Sequence, residues 1–151
     1  MNGAAEVESL IPHRLPMRLV ESFDQPVEDS IVAFAEVREA WPTVCDGNAQ
    51  TLMLIELIAQ TAAVLQGFRE RAEEDDKPAT GGLLVGIPAL QVTKPRIAVG
   101  TQLICNVSIS HGAQNYLAFE GRVTDTAGTL WLTGSIQAYR PDSMEILGAR
   151  P

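Results

Sequence analysis

The longest apolar stretch of the chain runs from Asn48 to Phe68 and predicts its central helix. Between Asp46 and Arg69 this stretch contains one charged residue, Glu56. A helix that is apolar on nearly all sides is either enclosed by protein or spans a membrane. Its amide and hydroxyl side chains, together with a carboxylate near its middle, argue against a span. We therefore expect a helix buried in the core, with Glu56 as a buried acid.

Alternating apolar and polar residues predict strands on both sides of this helix. The predicted strands are 18–23, 30–39, 83–93, 103–109, 117–123 and 130–138. Asp125–Gly128 predicts a tight turn between the last two. A single apolar helix with no second helix to cover it must be enclosed by a curved antiparallel sheet, which is an α+β layer arrangement. Such a sheet leaves an edge, and an open edge favours dimerisation.

The length and composition predict one folded domain. The chain has 151 residues, of which 46% are hydrophobic and 20% charged, and this is ordinary globular composition. We expect a single domain over 1–151, with loose tails at 1–9 and 141–151. The net charge of −8 gives no general attraction to nucleic acids or to anionic membranes. Both are therefore poor candidates as partners.

The candidate metal and cofactor chemistry is sparse. Cys45 and Cys105 are far apart in the sequence and do not have the spacing of a metal site. The sequence contains no phosphate-binding loop or nucleotide fingerprint, so we predict neither a metal nor a cofactor. The N-terminus shows no secretory signal, and we expect a cytoplasmic protein with free thiols.

Three sequence blocks resemble the β-hydroxyacyl-acyl-carrier-protein dehydratases. Ile11–Val20 resembles their opening Leu-Pro-His-Arg-x-Pro motif, and Ile55–Gln60 resembles the helix motif Glu-Ala-Met-Ala-Gln. Lys94–Leu103 resembles their Arg-Pro-Val-x-Pro-Gly-Asp-x-Leu block. The blocks follow the order of the family. The chain as a whole looks like the dehydratase-like proteins encoded with aryl-polyene biosynthetic clusters.

This resemblance implies the hotdog fold, in which a sheet wraps around one helix, and it also implies a reaction. The family removes water from a 3-hydroxyacyl thioester on acyl carrier protein and forms a trans-2-enoyl thioester. The chemistry needs a base for the C2 proton, an acid for the C3 hydroxyl and donors to the thioester oxygen. The resemblance also implies a dimer, formed with a second copy or with a different hotdog subunit.

The resemblance identifies Glu56 as the catalytic acid of the helix. Gln60 lies one helical turn further on, where it can hydrogen-bond Glu56, and we assign it to substrate binding. The family also uses a histidine in the loop before the helix. The corresponding stretch, Trp41–Gly47, contains none.

His13, Cys45 and Asp46 are the candidates to replace the missing histidine. His13 matches the family's other, N-terminal histidine, and it is either the second catalytic residue or a residue that packs and caps the N-terminal segment. Cys45 and Asp46 occupy the place of the missing histidine and are assigned to the substrate site, although a small buried thiol is the commoner role of cysteine. Glu56 also has a structural alternative, since a buried acid can bind backbone amides or join two subunits.

Three functions are therefore open from the sequence. The first is dehydration by Glu56 and His13, and the second is a weakly active or inactive hotdog subunit that binds acyl chains or completes a heterodimer. The third is a hotdog acyl thioesterase. For docking of a carrier protein, the basic residues near the three blocks are Arg14, Arg18, Lys94 and Arg96.

Overall fold

The computed structural model describes residues 1–73 and 83–140, which contain two α-helices, a short 3₁₀ helix and eight strands. The helices are α1 (Ala4–Leu10) and α2 (Leu54–Glu73), and the 3₁₀ turn at Thr51–Met53 leads into α2. The strands are β1 (Ser22–Phe23), β2 (Ser30–Glu36), β3 (Asn48–Gln50), β4 (Leu83–Val92), β5 (Arg96–Ala98), β6 (Gln102–Ala113), β7 (Tyr116–Asp125) and β8 (Leu130–Tyr139).

Six of these strands form one antiparallel sheet, hereafter the main sheet, in the order β1-β2-β6-β7-β8-β4. The alternation seen in the sequence puts Leu103, Val123 and Leu132 on the inner face, where all are buried. The helix α2 packs on this face. Gly121 of β7 allows the closest approach, because a Cβ atom there would lie 2.5 Å from the side chain of Ile58. The predicted α+β arrangement of one helix enclosed by an antiparallel sheet is confirmed.

The central helix begins six residues later than the apolar stretch suggests. Asn48–Gln50 is instead the strand β3, which pairs with β5 in a small second sheet. Gln50 keeps extended backbone angles, and the N–H of Thr51 donates to the carbonyl of Pro95. The helix also continues through the charged residues to Glu73. Arg71 donates to Glu6 at 2.9 Å and to the carbonyl of Ser9 at 2.8 Å, which ties this last turn to α1.

The expectation of a loose arm at residues 1–9 is wrong. Residues 4–10 form α1, whose side chains Val7 and Leu10 are 0% and 2% exposed. Gly67 of α2 makes this packing possible, since a Cβ atom there would lie 2.9 Å from the carbonyl oxygen of Leu10. Apolar residues spaced three apart on a short helix carry too little signal to predict such docking. The other expected tail, 141–151, lies outside the described residues.

The apolarity of α2 comes from its place in the core. The segment Thr51–Glu73 has a window with a mean hydropathy of 1.5, enough for a membrane span by composition alone. In the structure 56% of that window is buried by the rest of the chain. The helix is therefore the core helix of this fold.

Candidate active site

The N-terminal segment Ile11–Val20 folds back on itself beside α2. The N–H of Arg18 donates to the carbonyl of Arg14 at 2.9 Å, and the Arg14 guanidinium donates to the carbonyls of Ile11 and His13. The segment ends at Leu19 and Val20, whose side chains are fully buried. Pro12 and Pro16, which fix two φ angles, suit this shape. The fold of the segment brings His13 against the first turn of α2.

Glu56 and His13 meet in the structure. The Nε2 atom of His13 lies 3.3 Å from Oε1 of Glu56, and the two side chains are 33% and 36% exposed. The expectation of a fully buried acid is therefore wrong. Glu56 lies in the first turn of α2, four residues after the exposed Leu52. A solvent-accessible carboxylate next to an imidazole is a pair able to accept and donate protons.

Gln60 lies next to this pair, as the sequence predicts. Its side chain is 1% exposed, and its Nε2 donates to Oε1 of Glu56 at 3.0 Å. The amide also bonds to the backbone of the N-terminal segment. Because the Gln60 amide is hydrogen-bonded to the protein in this way, it does not have the free polar groups expected of the predicted substrate-binding residue.

Cys45 and Asp46 lie in an exposed turn before β3. The N–H of Cys45 donates to the carbonyl of Asn48 at 2.9 Å, and the Asn48 side chain donates to the carbonyl of Asp46. Asp46 has a φ of 53°, and Gly47 has a φ of 78°. Among the described residues, neither side chain is hydrogen-bonded or ion-paired to Glu56. The alternative of a buried thiol is wrong for Cys45, which is exposed, whereas Cys105 of β6 is buried.

An apolar border of Leu15, Met17 and Leu52 accompanies the pair, and the sequence reading missed it. These side chains are 59%, 48% and 51% exposed. Leu15 and Met17 belong to the segment that carries His13, and Leu52 precedes Glu56 by one turn. Their exposure depends on where the helix emerges from the sheet, which the hydropathy pattern does not encode. An apolar ligand would find both a proton-transfer pair and apolar contacts here.

The basic residues considered for docking have different roles. Arg18 is only 7% exposed, and its guanidinium binds Glu8 at 2.6 Å, so the expectation that it is an available surface cation is wrong. Arg14, Lys94 and Arg96 are exposed, with Lys94 lying over the ring of Trp131. Within residues 1–73 and 83–140, no cluster of three or more His, Cys, Asp or Glu side chains is arranged to hold a metal ion.

Comparison with protein families identifies the chain. Residues 5–148 match the family model of ApeP-like proteins, described as ApeP dehydratase. The chain belongs to the ApeP-like dehydratase family. It is thus a dehydratase-type hotdog protein, in agreement with the resemblance to dehydratases of aryl-polyene clusters. No curated protein matches the sequence significantly.

Solved structures support the same assignment. A chain of the dehydratase heterocomplex ApeI:P from Xenorhabdus doucetiae is similar to this ApeP-like chain with a TM-score of 0.82 and 25% identity, covering 94% of this chain and 95% of that one. A hypothetical thioesterase protein with coenzyme A from Streptococcus pneumoniae TIGR4 has a TM-score of 0.59 at 12% identity, covering 78% and 83%. The PaaI protein from the phenylacetic acid degradation operon of E. coli has a TM-score of 0.59 at 9% identity, covering 78% and 81%. The last two share only the hotdog fold.

Proposed function

We propose that this protein is a subunit of a dehydratase that removes water from 3-hydroxyacyl thioesters on acyl carrier protein and forms trans-2-enoyl thioesters. The observation that carries this proposal is the 3.3 Å approach of His13 to Glu56 in a half-exposed site. Membership of the ApeP-like dehydratase family supports the type of reaction. Polyene-type biosynthesis is the proposed setting, in the cytoplasm.

The pair suits the chemistry of water elimination. The substrate loses a proton from C2, the electron pair of that bond forms the C2–C3 double bond, and the C3 hydroxyl leaves after protonation. A proton must be accepted from C2 and a proton must be donated to the C3 oxygen, and a carboxylate beside an imidazole can serve both transfers. The apolar border of Leu15, Met17 and Leu52 suits the acyl chain.

His13 is the proposed replacement for the histidine that the family has in the loop before the helix and that this chain lacks there. In the proposed site the imidazole comes from the N-terminal segment, whereas Trp41–Gly47 contributes none. Acid and imidazole then belong to the same chain. A subunit with this pair has its own proton-transfer groups, which favours catalysis over a purely structural role.

A second hotdog subunit is the proposed partner, and β4 is the proposed contact. The apolar side chains of this strand are 36% to 51% exposed: Leu83, Leu84, Val85, Ile87, Leu90 and Val92. The strand pairs with β8 on one side and is the last strand of the main sheet on the other. A long apolar edge strand is a surface that native proteins normally cover. The relative from Xenorhabdus doucetiae is part of a heterocomplex, which favours a heterodimer here.

The carrier protein is the proposed donor of the substrate. Arg14, Lys94 and Arg96 are the proposed docking cations, because they are exposed in an otherwise acidic chain. Contacts between exposed charges weaken with salt, so the KM for the loaded carrier should rise with ionic strength.

The test is turnover of a 3-hydroxyacyl carrier protein, followed by mass spectrometry of enoyl product and free acid. The protein is assayed alone and with a second hotdog subunit, for which ApeI of the Xenorhabdus doucetiae heterocomplex serves as the probe. Wild type should produce enoyl thioester, and Glu56→Gln and His13→Gln should each lose at least about 100-fold in rate. His111→Gln is the matched control, since His111 is exposed on β6. Free acid without enoyl product would identify a thioesterase instead, and absence of turnover in both settings would refute the proposal.

A further inference from the structure

The side-chain amide of Gln60 uses its full hydrogen-bonding capacity on the protein. Its Oε1 accepts from the N–H of Leu19 at 2.8 Å and from that of Val20 at 3.4 Å. Its Nε2 donates to the carbonyl of Met17 at 2.8 Å and to Oε1 of Glu56 at 3.0 Å. A primary amide has two N–H donors and one oxygen with two lone pairs, so no polar capacity is left for a substrate.

The orientation of this amide is fixed by its partners. The reversed amide would put its oxygen against the Met17 carbonyl and the Glu56 carboxylate, and its NH₂ group against two backbone N–H groups. Both contacts would be repulsive, and the side chain is 1% exposed, so water cannot replace the lost bonds. Gln60 therefore always presents a donor to Glu56.

The same side chain fixes the segment that carries His13. Met17, Leu19 and Val20 lie four to seven residues after His13, and the bond from Arg18 N–H to the Arg14 carbonyl connects the two halves of the segment. Gln60 thus touches one member of the pair and anchors the backbone that positions the other. Loss of the amide would change the distance between the two.

The two oxygens of Glu56 have different surroundings. Oε1 receives the bond from Gln60 and lies 3.3 Å from Nε2 of His13. We assign the ring proton to this nitrogen, because an unprotonated Nε2 so close to a carboxylate oxygen would be repelled. Among the described residues, Oε2 has no hydrogen-bond partner, and Nδ1 of His13 is buried without one. Oε2 is therefore the atom of the pair that is free to reach a substrate.

We infer that Gln60 is a positioning residue that holds Oε1 of Glu56 and the His13 segment, so that Oε2 of Glu56 carries both proton transfers. The inference rests on the proposed function. In this step Oε2 takes the C2 proton, and the electron pair of the broken C2–H bond forms the C2–C3 double bond. The C3–O bond breaks as this double bond forms, its electron pair stays on the departing oxygen, and the same proton passes from Oε2 to that oxygen, which leaves as water. Glu56 ends as it began, and His13 acts through Oε1.

The first test is kinetic and compares Gln60→Met with Thr61→Val. Methionine has a similar volume but none of the four bonds. Thr61 is equally buried and donates to the Leu57 carbonyl at 2.7 Å, so its variant controls for a lost helix bond near the site. For Gln60→Met we expect kcat to fall roughly 10- to 100-fold with KM nearly unchanged. Thr61→Val should keep wild-type kcat. A rise in KM at constant kcat would make Gln60 a substrate-binding residue and overturn the inference, as would equal losses in both variants.

A second variant separates positioning from folding. Gln60→Glu keeps an acceptor for Leu19 N–H, but its ionised form faces the Glu56 carboxylate. Its protonated form restores one donor, so kcat should partly recover as the pH falls. Among the described residues, His13 is the basic group that lies within ion-pair distance of Glu56, and its protonation is read separately by NMR. An unchanged pH profile in Gln60→Glu would contradict the positioning role.

The third measurement does not depend on turnover. The chain has two histidines, and His111→Gln leaves His13 as the source of the imidazole ¹⁵N signals. Wild-type His13 should show the tautomer with the proton on Nε2, and Gln60→Met should average the two tautomers. Proton occupancy of Nδ1 in the wild type would overturn the inference.

If the wild type shows the expected tautomer but no dehydration, the proposed function fails while the positioning geometry stands. If Gln60→Met does not fold, Gln60→Glu and the wild-type spectrum still decide.

Discussion

The two outer strands of the main sheet differ in length, in composition and in what lies beside them. The strand β1 is two residues long, and Asn2 covers its outer edge through bonds of 2.7 and 2.9 Å to the backbone of Phe23. The strand β4 is ten residues long and apolar, and its side chains are exposed along nearly its whole length. One edge of the same sheet is closed by Asn2, whereas no strand pairs with the outer edge of β4 within residues 1–73 and 83–140.

This difference shows where the described part of the chain leaves apolar surface exposed. Leu90 lies opposite Gly134, on the face that α2 covers elsewhere, because a Cβ atom on Gly134 would meet Leu90 at 3.4 Å and Ile55 at 3.0 Å. Leu90 is nevertheless 36% exposed. Among the described residues, the helix packs on β8 and makes at most minor contact with β4. A partner that covers β4 would therefore continue the core and also lie beside the helix end that carries Glu56.

The largest expected effect is on association through β4. Leu90→Lys puts a charge into the proposed contact and should weaken binding of the second hotdog subunit by about 100-fold or more. The folding stability of the isolated chain should hardly change, since the side chain is already partly exposed. Sedimentation or titration calorimetry measures the affinity. Asn106→Lys, an exposed change on β6 far from β4, is the control, and an unchanged affinity in Leu90→Lys would show that the partner binds elsewhere.

The next effect concerns packing at the closed part of the sheet. Gly121→Ala puts a methyl group 2.5 Å from the buried Ile58 and should cost about 2–3 kcal/mol in the free energy of unfolding. Gly86→Ala on β4 meets only the Gln137 side-chain oxygen, at 2.8 Å, which can move away. It should cost less than about 1 kcal/mol. Denaturant unfolding measures both, and equal costs would mean that the two regions are packed alike.

A smaller effect is expected at the β1 edge. Asn2→Pro removes the N–H that donates to the Phe23 carbonyl, whereas Asn2→Ala keeps it. The proline variant should be less stable by about 1–2 kcal/mol, the cost of one lost hydrogen bond that leaves its partner unpaired. Thermal unfolding of both variants tests this. If the alanine variant loses as much, the Asn2 side chain and not the backbone bond closes the edge.

The last prediction concerns the chemical labelling of the two cysteines in the folded protein, which requires no substitution. Burial raises the pKa of the Cys105 thiol to about 12, although a hydrogen bond with Thr61 acts in the opposite direction. Below that pH the thiol stays protonated and unreactive, because the thiolate is the nucleophile. Iodoacetamide at pH 8 should therefore modify the exposed Cys45 and leave Cys105 unmodified, as peptide mass spectrometry can show. Labelling of Cys105 in the folded protein would contradict this prediction, because it would mean that β6 separates from its neighbours often enough to expose the thiol.

The sequence determined the fold because hydrophobic periodicity reports which side of each element faces the core. The apolar stretch around Ile58 and the alternation after Leu103 predicted one helix enclosed by an antiparallel sheet. The motif Ile55–Gln60 also directed attention to Glu56. These are local signals. Each one predicts the structure correctly because the apolar side chains that form the pattern are the ones that become buried.

Only the tertiary structure decided the rest. It brought His13 to Glu56 across more than forty residues of chain, gave the amide of Gln60 four protein partners, and docked the short helix that contains Val7. Within the described ranges it also left the apolar side chains of β4 exposed, although the sequence of this strand is as apolar as that of a buried one. Contacts between distant segments depend on how α2 lies across the sheet, and that position is set by close approaches such as the one at Gly121. No periodicity within one segment encodes them.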